Sequence, residues 1–141
     1  MEKQLVLKNK ISEVTLLAEF VETIGKELSL STNQVLNLNL ALEEAVSNVI
    51  LYAFPRDEAH EFVLHAKYDK EAVAFQLVDS GVPFDPTQVS EPDTAASAAE
   101  REIGGLGIFL IRQLMDEVHY RYHNGMNTLT LIKRLSESIT E

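Results

Sequence analysis

The chain has 141 residues, 45% of them hydrophobic, which fits one ordinary globular domain and excludes a chain that is disordered throughout. Its formal net charge of -10 argues against nucleic acid as a partner, because phosphates require basic surface. With no cysteine, disulfides and thiolate metal sites are excluded.

The N-terminus, Met1-Glu2-Lys3-Gln4-Leu5, lacks the apolar core of a signal peptide. No apolar run approaches the ~20 residues that span a membrane. The expectation is a soluble, cytoplasmic domain with no membrane partner. Gln4 to Leu7 reads as a short strand. Ile11 to about Leu28 has Val14, Leu17, Ala18, Val21, Ile24 and Leu28 at helical spacing. Ser31 or Thr32 caps a second helix that runs to about Phe54, where Pro55 stops it. Val35, Leu38, Leu42, Ala45, Val49 and Ala53 form its apolar stripe.

Glu61 to Lys67 and Ala72 to Val78 alternate as strands around a tight turn. A long irregular stretch follows, from Ser80 to about Ile103; a loop of that length in a small domain is functional or disordered. A helix from Leu106 to about Met115 comes next. Glu117 to Tyr122 and Thr128 to Lys133 are strands joined around Asn124-Gly125, a strong hairpin signal. The tail after residue 135 is expected to fray. The predicted fold is a single domain, residues 1–141. It is an α+β, two-layer sandwich with a mixed, mostly antiparallel sheet covered by helices on one face.

Three patterns carry chemistry. In Glu44-Ala45-Val46-Ser47-Asn48 the two polar ends are four apart and share a helix face. An Asn carbonyl suits Mg²⁺ that also holds phosphate, and a Glu one turn earlier can polarise a hydroxyl or water. The alternative is a solvated helix face. In Asp79-Ser80-Gly81-Val82-Pro83-Phe84-Asp85 a carboxylate at a strand end can accept from the exocyclic amine of adenine. Gly81 would admit the base close to the backbone, and Phe84 would wall it. The alternative is a plain Asp-Ser-Gly turn. In Gly104-Gly105-Leu106-Gly107 glycines open straight into an apolar helix, whose free amides suit phosphate. The alternative is a flexible hinge. Neither a Walker A loop nor a dinucleotide fingerprint is present. Arg101, just before, is a candidate phosphate contact or an exposed loop charge. Thr128 is a candidate second adenine contact or simply a strand former. The histidines at 60, 65, 119 and 123 lack metal-ligand spacing and read as structural or surface residues.

Together these patterns resemble the boxes of the histidine-kinase-like ATPases with the Bergerat fold (the GHKL superfamily). The likeness runs from about Leu5 to Leu135. It is nearest to the stand-alone bacterial anti-sigma factor serine/threonine protein kinases of the RsbW and SpoIIAB type. Residues 44–48 resemble the N box, 79–85 the G1 box, 104–107 the G2 box, and 124–128 the last conserved turn and strand. The resemblance implies Mg-ATP as cofactor. By position, it implies Glu44 as general base and Asn48 as the Mg²⁺ ligand. It implies Asp79 with Gly81 and Thr128 at adenine, and backbone amides of Gly105, Leu106 and Gly107 at the phosphates. A lid would span about 87–103. Implied partners are a STAS-domain anti-anti-sigma protein as substrate, a sigma factor, and a second copy paired through the sheet edge. A different reading of the same boxes is a non-catalytic, ATP-dependent binding module. A histidine-kinase catalytic fragment is disfavoured, because 141 residues leave no room for a dimerising helix pair with its phosphoacceptor His.

Overall fold

A computed structural model of the chain describes residues 1–55, 57–88 and 105–135. The elements are β1 (Glu2–Lys8), a 3₁₀ segment (Ile11–Thr15), α1 (Leu16–Leu28), α2 (Thr32–Tyr52), β2 (Glu61–Tyr68) and β3 (Ala72–Asp79). A short 3₁₀ turn (Pro86–Gln88), α3 (Gly105–Leu114), β4 (Glu117–His123) and β5 (Met126–Arg134) complete them. Most of the expected lid, with Arg101 and Gly104, and the tail from 136 lie outside the described residues.

Local chemistry accounts for most boundaries. Ser31 caps α2 with a reciprocal capping box: its hydroxyl accepts from Gln34 N–H and its own N–H donates to Gln34 Oε1. The helix ends at Tyr52, with Ala53 as cap, three residues ahead of Pro55. Ser29 leaves α1 through a left-handed conformation, φ 57°. Asn124 and Gly125, at φ 54° and 75°, close the last hairpin in the geometry that a two-residue turn favours.

The expected single helix over Ile11–Leu28 is two pieces. Its first turn is tightened by i→i+3 main-chain bonds, from Glu13 N–H to the Lys10 carbonyl and from Leu16 N–H to the Glu13 carbonyl, and the Thr15 hydroxyl donates to the Ser12 carbonyl beside them. It therefore forms a 3₁₀ segment. Ala18, expected in the core, is exposed, and Phe20 is buried on that helix instead.

The sheet order is β1-β2-β3-β5-β4, and all four pairings are antiparallel. The two-layer α+β architecture is as the sequence predicts, but the sheet lacks the parallel pair of a mixed one. β5 returns through the Asn124-Gly125 hairpin and inserts between β3 and β4, so those two run in the same direction without touching. One face of the sheet carries the core. Leu7, Phe62, Leu64, Val73, Phe75, Leu77, Leu129 and Leu131 are buried there with Leu17, Val21 and Ile24 of α1 and Leu38, Leu42, Ala45 and Val46 of α2. Ile108 and Ile111 bring α3 into the same core. The strand period of two gives every strand one such face and leaves alternate side chains outside. Among the described residues, no helix is long and apolar enough to cross a membrane.

Candidate functional site

The core opens into a cavity where the C-terminal half of α2 passes over the ends of β3 and β5. Ala45, Val49 and Ala53 line it from α2, Leu77 and Leu129 from the sheet, and Phe84 and Pro86 from the segment after β3. Its polar groups are Asn48, Asp79, Tyr120 and Asn127. Apolar walls around a few fixed polar atoms are the usual make-up of a small-molecule site.

Asp79 is the last residue of β3 and is only 4% exposed. Burial raises its pKa above the ordinary carboxylate range. Hydrogen bonds from Asn127 and from Gly81 N–H oppose that rise. Both bonds fall on Oδ1, at 2.9 Å from Asn127 Nδ2 and 2.8 Å from Gly81 N. Among the described residues neither bond engages Oδ2, and Asp79 lines the cavity.

Gly81 has a reason for being glycine that local sequence does not show. A Cβ there would stand 2.3 Å from the carbonyl oxygen of Ala53, at the end of α2. Val82 N–H donates to the same carbonyl at 2.9 Å. The glycine thus lets the turn after β3 dock under α2, which fixes Asp79 relative to Asn48. Phe84 follows in that turn, its ring 5.8 Å from that of Tyr52 and tilted by 39°.

Glu44 lies outside the cavity lining, one turn before Asn48, and both face the start of α3. A Cβ on Gly107 would stand 2.8 Å from Glu44 Oε1 and 3.7 Å from Asn48 Nδ2. Glycine at 107 therefore brings the first turn of α3 against this polar pair. The first four N–H groups of a helix have no partner within it, and those of Gly105, Leu106 and Gly107 belong to this class. At the other end of α3, Arg112 Nη2 donates to the Thr87 carbonyl at 2.7 Å. Asp85 Oδ1 in turn accepts from Thr87 N–H at 2.8 Å. These bonds tie the segment after β3 to the helix that carries the glycines.

Six of the sequence candidates thus gather in one place: Glu44, Asn48, Asp79, Gly81, Phe84 and Gly107. Gly105 and Leu106 join them through the backbone of α3. Thr128 does not. It pairs with Val78 and Arg121, and the strand alternation puts it on the face of the sheet away from the cavity. The neighbour of Asp79 is Asn127, directly opposite it in register and 5% exposed. The hairpin turn fixes that register, so counting outward from Asn124-Gly125 along alternating residues is the signal that marks Asn127 as inward-facing. Of the histidines, His60 stacks on Phe54 at 4.4 Å and His119 contacts Glu117 at 2.9 Å. Among the described residues, no group of three His, Cys, Asp or Glu side chains is placed to hold a metal ion.

The family model described as "Histidine kinase-like ATPase domain" matches residues 7–133. The chain belongs to this family. Within the family it is similar to a serine/threonine-protein kinase, BtrW, of Bordetella bronchiseptica. They are 32% identical over 94 residues, which is 67% of this chain and 66% of that one. It is also similar to the serine-protein kinase RsbW of Listeria monocytogenes, at 28% identity over 122 residues, 84% of this chain and 77% of that one. The fold is similar to one part of the crystal structure of the RsbU and RsbW domains of a Mycobacterium tuberculosis protein. The TM-score is 0.69 at 16% identity, over 98% of this chain and 33% of that one. The family's Bergerat-type, two-layer architecture is the one described above.

Proposed function

We propose that this protein is an ATP-dependent serine/threonine protein kinase of a partner-switching system. Its protein substrate would be a small STAS-domain antagonist, and the same surface system would sequester a sigma factor. The observation that carries the reading is the continuity of the site. A buried carboxylate in an apolar cavity, Asp79, leads along α2 to Asn48 and Glu44, which face the glycine-rich start of α3.

The parts fit the nucleotide in order. The cavity offers apolar walls and one carboxylate oxygen, Oδ2, which suits a base with an exocyclic amine. The amides of Gly105, Leu106 and Gly107 suit phosphate oxygens without any basic side chain. A Mg²⁺ that also holds phosphate oxygens needs as little as one protein oxygen. Asn48 would hold that ion, which supplies charge neutralisation at the phosphates. Glu44, one turn away, would take the proton of the acceptor Ser or Thr hydroxyl as that oxygen attacks the γ-phosphorus and ADP leaves. Such a transfer needs mainly positioning and charge neutralisation, so a sparse set of side chains suffices. The names of the relatives, serine/threonine-protein kinase and serine-protein kinase, support protein as the acceptor class.

The test is transfer of radiolabel from ATP to proteins captured from the source cytoplasm, with phosphosite mapping, for the parent and Glu44→Gln. Glu44→Gln should bind ATP within about twofold of the parent but transfer phosphate about 10²- to 10⁴-fold more slowly. Transfer at the parental rate would show that Glu44 is not the base. A parent that binds partners in an ATP-dependent way without labelling any of them would instead be a switchable binding module.

A further inference from the structure

Asn127 stands opposite Asp79 with its whole amide engaged. Nδ2 donates to Asp79 Oδ1 at 2.9 Å, to the Val82 carbonyl at 2.9 Å and to the Gly81 carbonyl at 3.4 Å. Oδ1 accepts from Phe84 N–H at 3.3 Å and from the Tyr120 hydroxyl. A primary amide has two N–H donors and one oxygen with two lone pairs. Asn127 has spent all of them on the protein and keeps none for a ligand.

Asp79 differs. Its Oδ1 is held by Asn127 and by Gly81 N–H, while nothing in these bonds occupies Oδ2. A carboxyl this buried would otherwise be free to rotate and to take up a proton. A protonated carboxyl donates a hydrogen bond as readily as it accepts one. It would then greet a base carbonyl as well as a base amine. Two N–H donors on Oδ1 oppose both changes: they fix the rotation and favour the charged form.

We propose that Asn127 is the positioning residue of this site, which holds Asp79 Oδ1 so that Oδ2 faces the cavity as a pure acceptor and selects a base with an exocyclic amine over one with a carbonyl there. The proposal rests on reading the cavity as a nucleotide-base site. Asn127 acts through Asp79 and touches no ligand itself. Its other bonds make the setting rigid, because Val82, Phe84 and Tyr120 belong to two further segments of the cavity wall.

ATP and ITP differ at this point of the base, amine against carbonyl, and so read the selection directly. Calorimetry on the full chain would give both affinities for the parent, Asn127→Leu and Asn127→Asp. Leucine removes the donor. Aspartate keeps the shape and the acceptor for Phe84 and Tyr120, but places a second carboxyl against Asp79, where the two share a proton. It serves where leucine beside those polar groups fails to fold. In each variant the ATP-to-ITP affinity ratio should fall by about tenfold or more, the size of a lost hydrogen bond to a charged group. An equal loss for both nucleotides, with the ratio kept, would overturn the proposal and leave Asn127 a merely structural residue. Unchanged affinities would overturn it as well. A parent that binds neither nucleotide would bring down the base-site reading and the proposal together, an outcome distinct from the other two.

Discussion

The helix-covered face of the sheet buries two acidic side chains of different fate, Tyr68 and Asp79. At the end of β2, the Tyr68 hydroxyl donates to the Glu27 carboxylate of α1. At the end of β3, Asp79 is held by Asn127 and the turn that follows. Burial raises both pKa values: Tyr68 to about 12, chiefly by desolvation and then by its bond to Glu27, and Asp79 chiefly by desolvation. The first pair is closed. Its partners are both the chain's own, and the strand beside it is further tied by Met1, whose ammonium donates to the Tyr68 carbonyl at 2.9 Å. The second is open: among the described residues neither bond engages the other carboxylate oxygen, and Asp79 lines a cavity. A polar group satisfied within the chain fastens layers together; one left partly unsatisfied in an apolar setting is a place for a ligand.

The largest expected effect separates the two most sharply. Asp79→Asn keeps an acceptor for Asn127 and Gly81 but replaces the charged oxygen, so ATP affinity should fall by about a hundredfold. The apo fold should respond in the opposite sense. A raised carboxylate pKa means that folding favours the protonated form, so its stabilising contribution is present below the ordinary value of 3.8. It is lost as pH rises through the folded value. The asparagine variant has no such loss and should melt above the parent at pH 7, with the gap closing below pH 3.8. Calorimetry and thermal melts across pH check both halves; tight ATP binding by the variant would remove Asp79 from the site.

Gly81→Ala probes the turn that sets Asp79 in place. The new methyl would meet backbone, the Ala53 carbonyl, rather than a flexible side chain. The expected cost is about 2 kcal/mol in denaturant unfolding. A parental midpoint would show that the end of α2 yields and that the close approach is not a constraint.

Tyr68→Phe should be the mildest. It removes one hydrogen bond, worth about 1 kcal/mol at neutral pH, and leaves ATP affinity unchanged. Because folding raises the Tyr68 pKa, the parent's advantage is full below pH 10 and shrinks as pH rises through about 12. Chemical denaturation at pH 7 and pH 11 reads that trend. A change in nucleotide affinity would mean that the two ends of the sheet are coupled.

Much of this molecule is written locally. Ser31 and Gln34 start α2, Pro55 follows its end, Asn124-Gly125 make the last turn, and alternation marks the strands. The order of the boxes carried the family, and the residue types at 44, 48, 79 and 107 were legible because helix periodicity and strand ends are properties of a few neighbouring residues. The first turn of the long N-terminal helix was less so, since main-chain bonds of Glu13 and Leu16, three residues back rather than four, make it 3₁₀.

The sequence by itself determined most of the elements, the cap of α2 and the set of residue types that nucleotide chemistry uses, because each depends on contacts within one or two turns of chain. Only the tertiary structure decided that β5 lies between β3 and β4, that Asn127 and not Thr128 stands beside Asp79, and that Gly81 answers to Ala53. These are matters of register and of close approach between segments far apart in the chain. A shift of one residue in a strand exchanges its two faces, and residue type alone pointed to Thr128, which lies on the other face from Asn127.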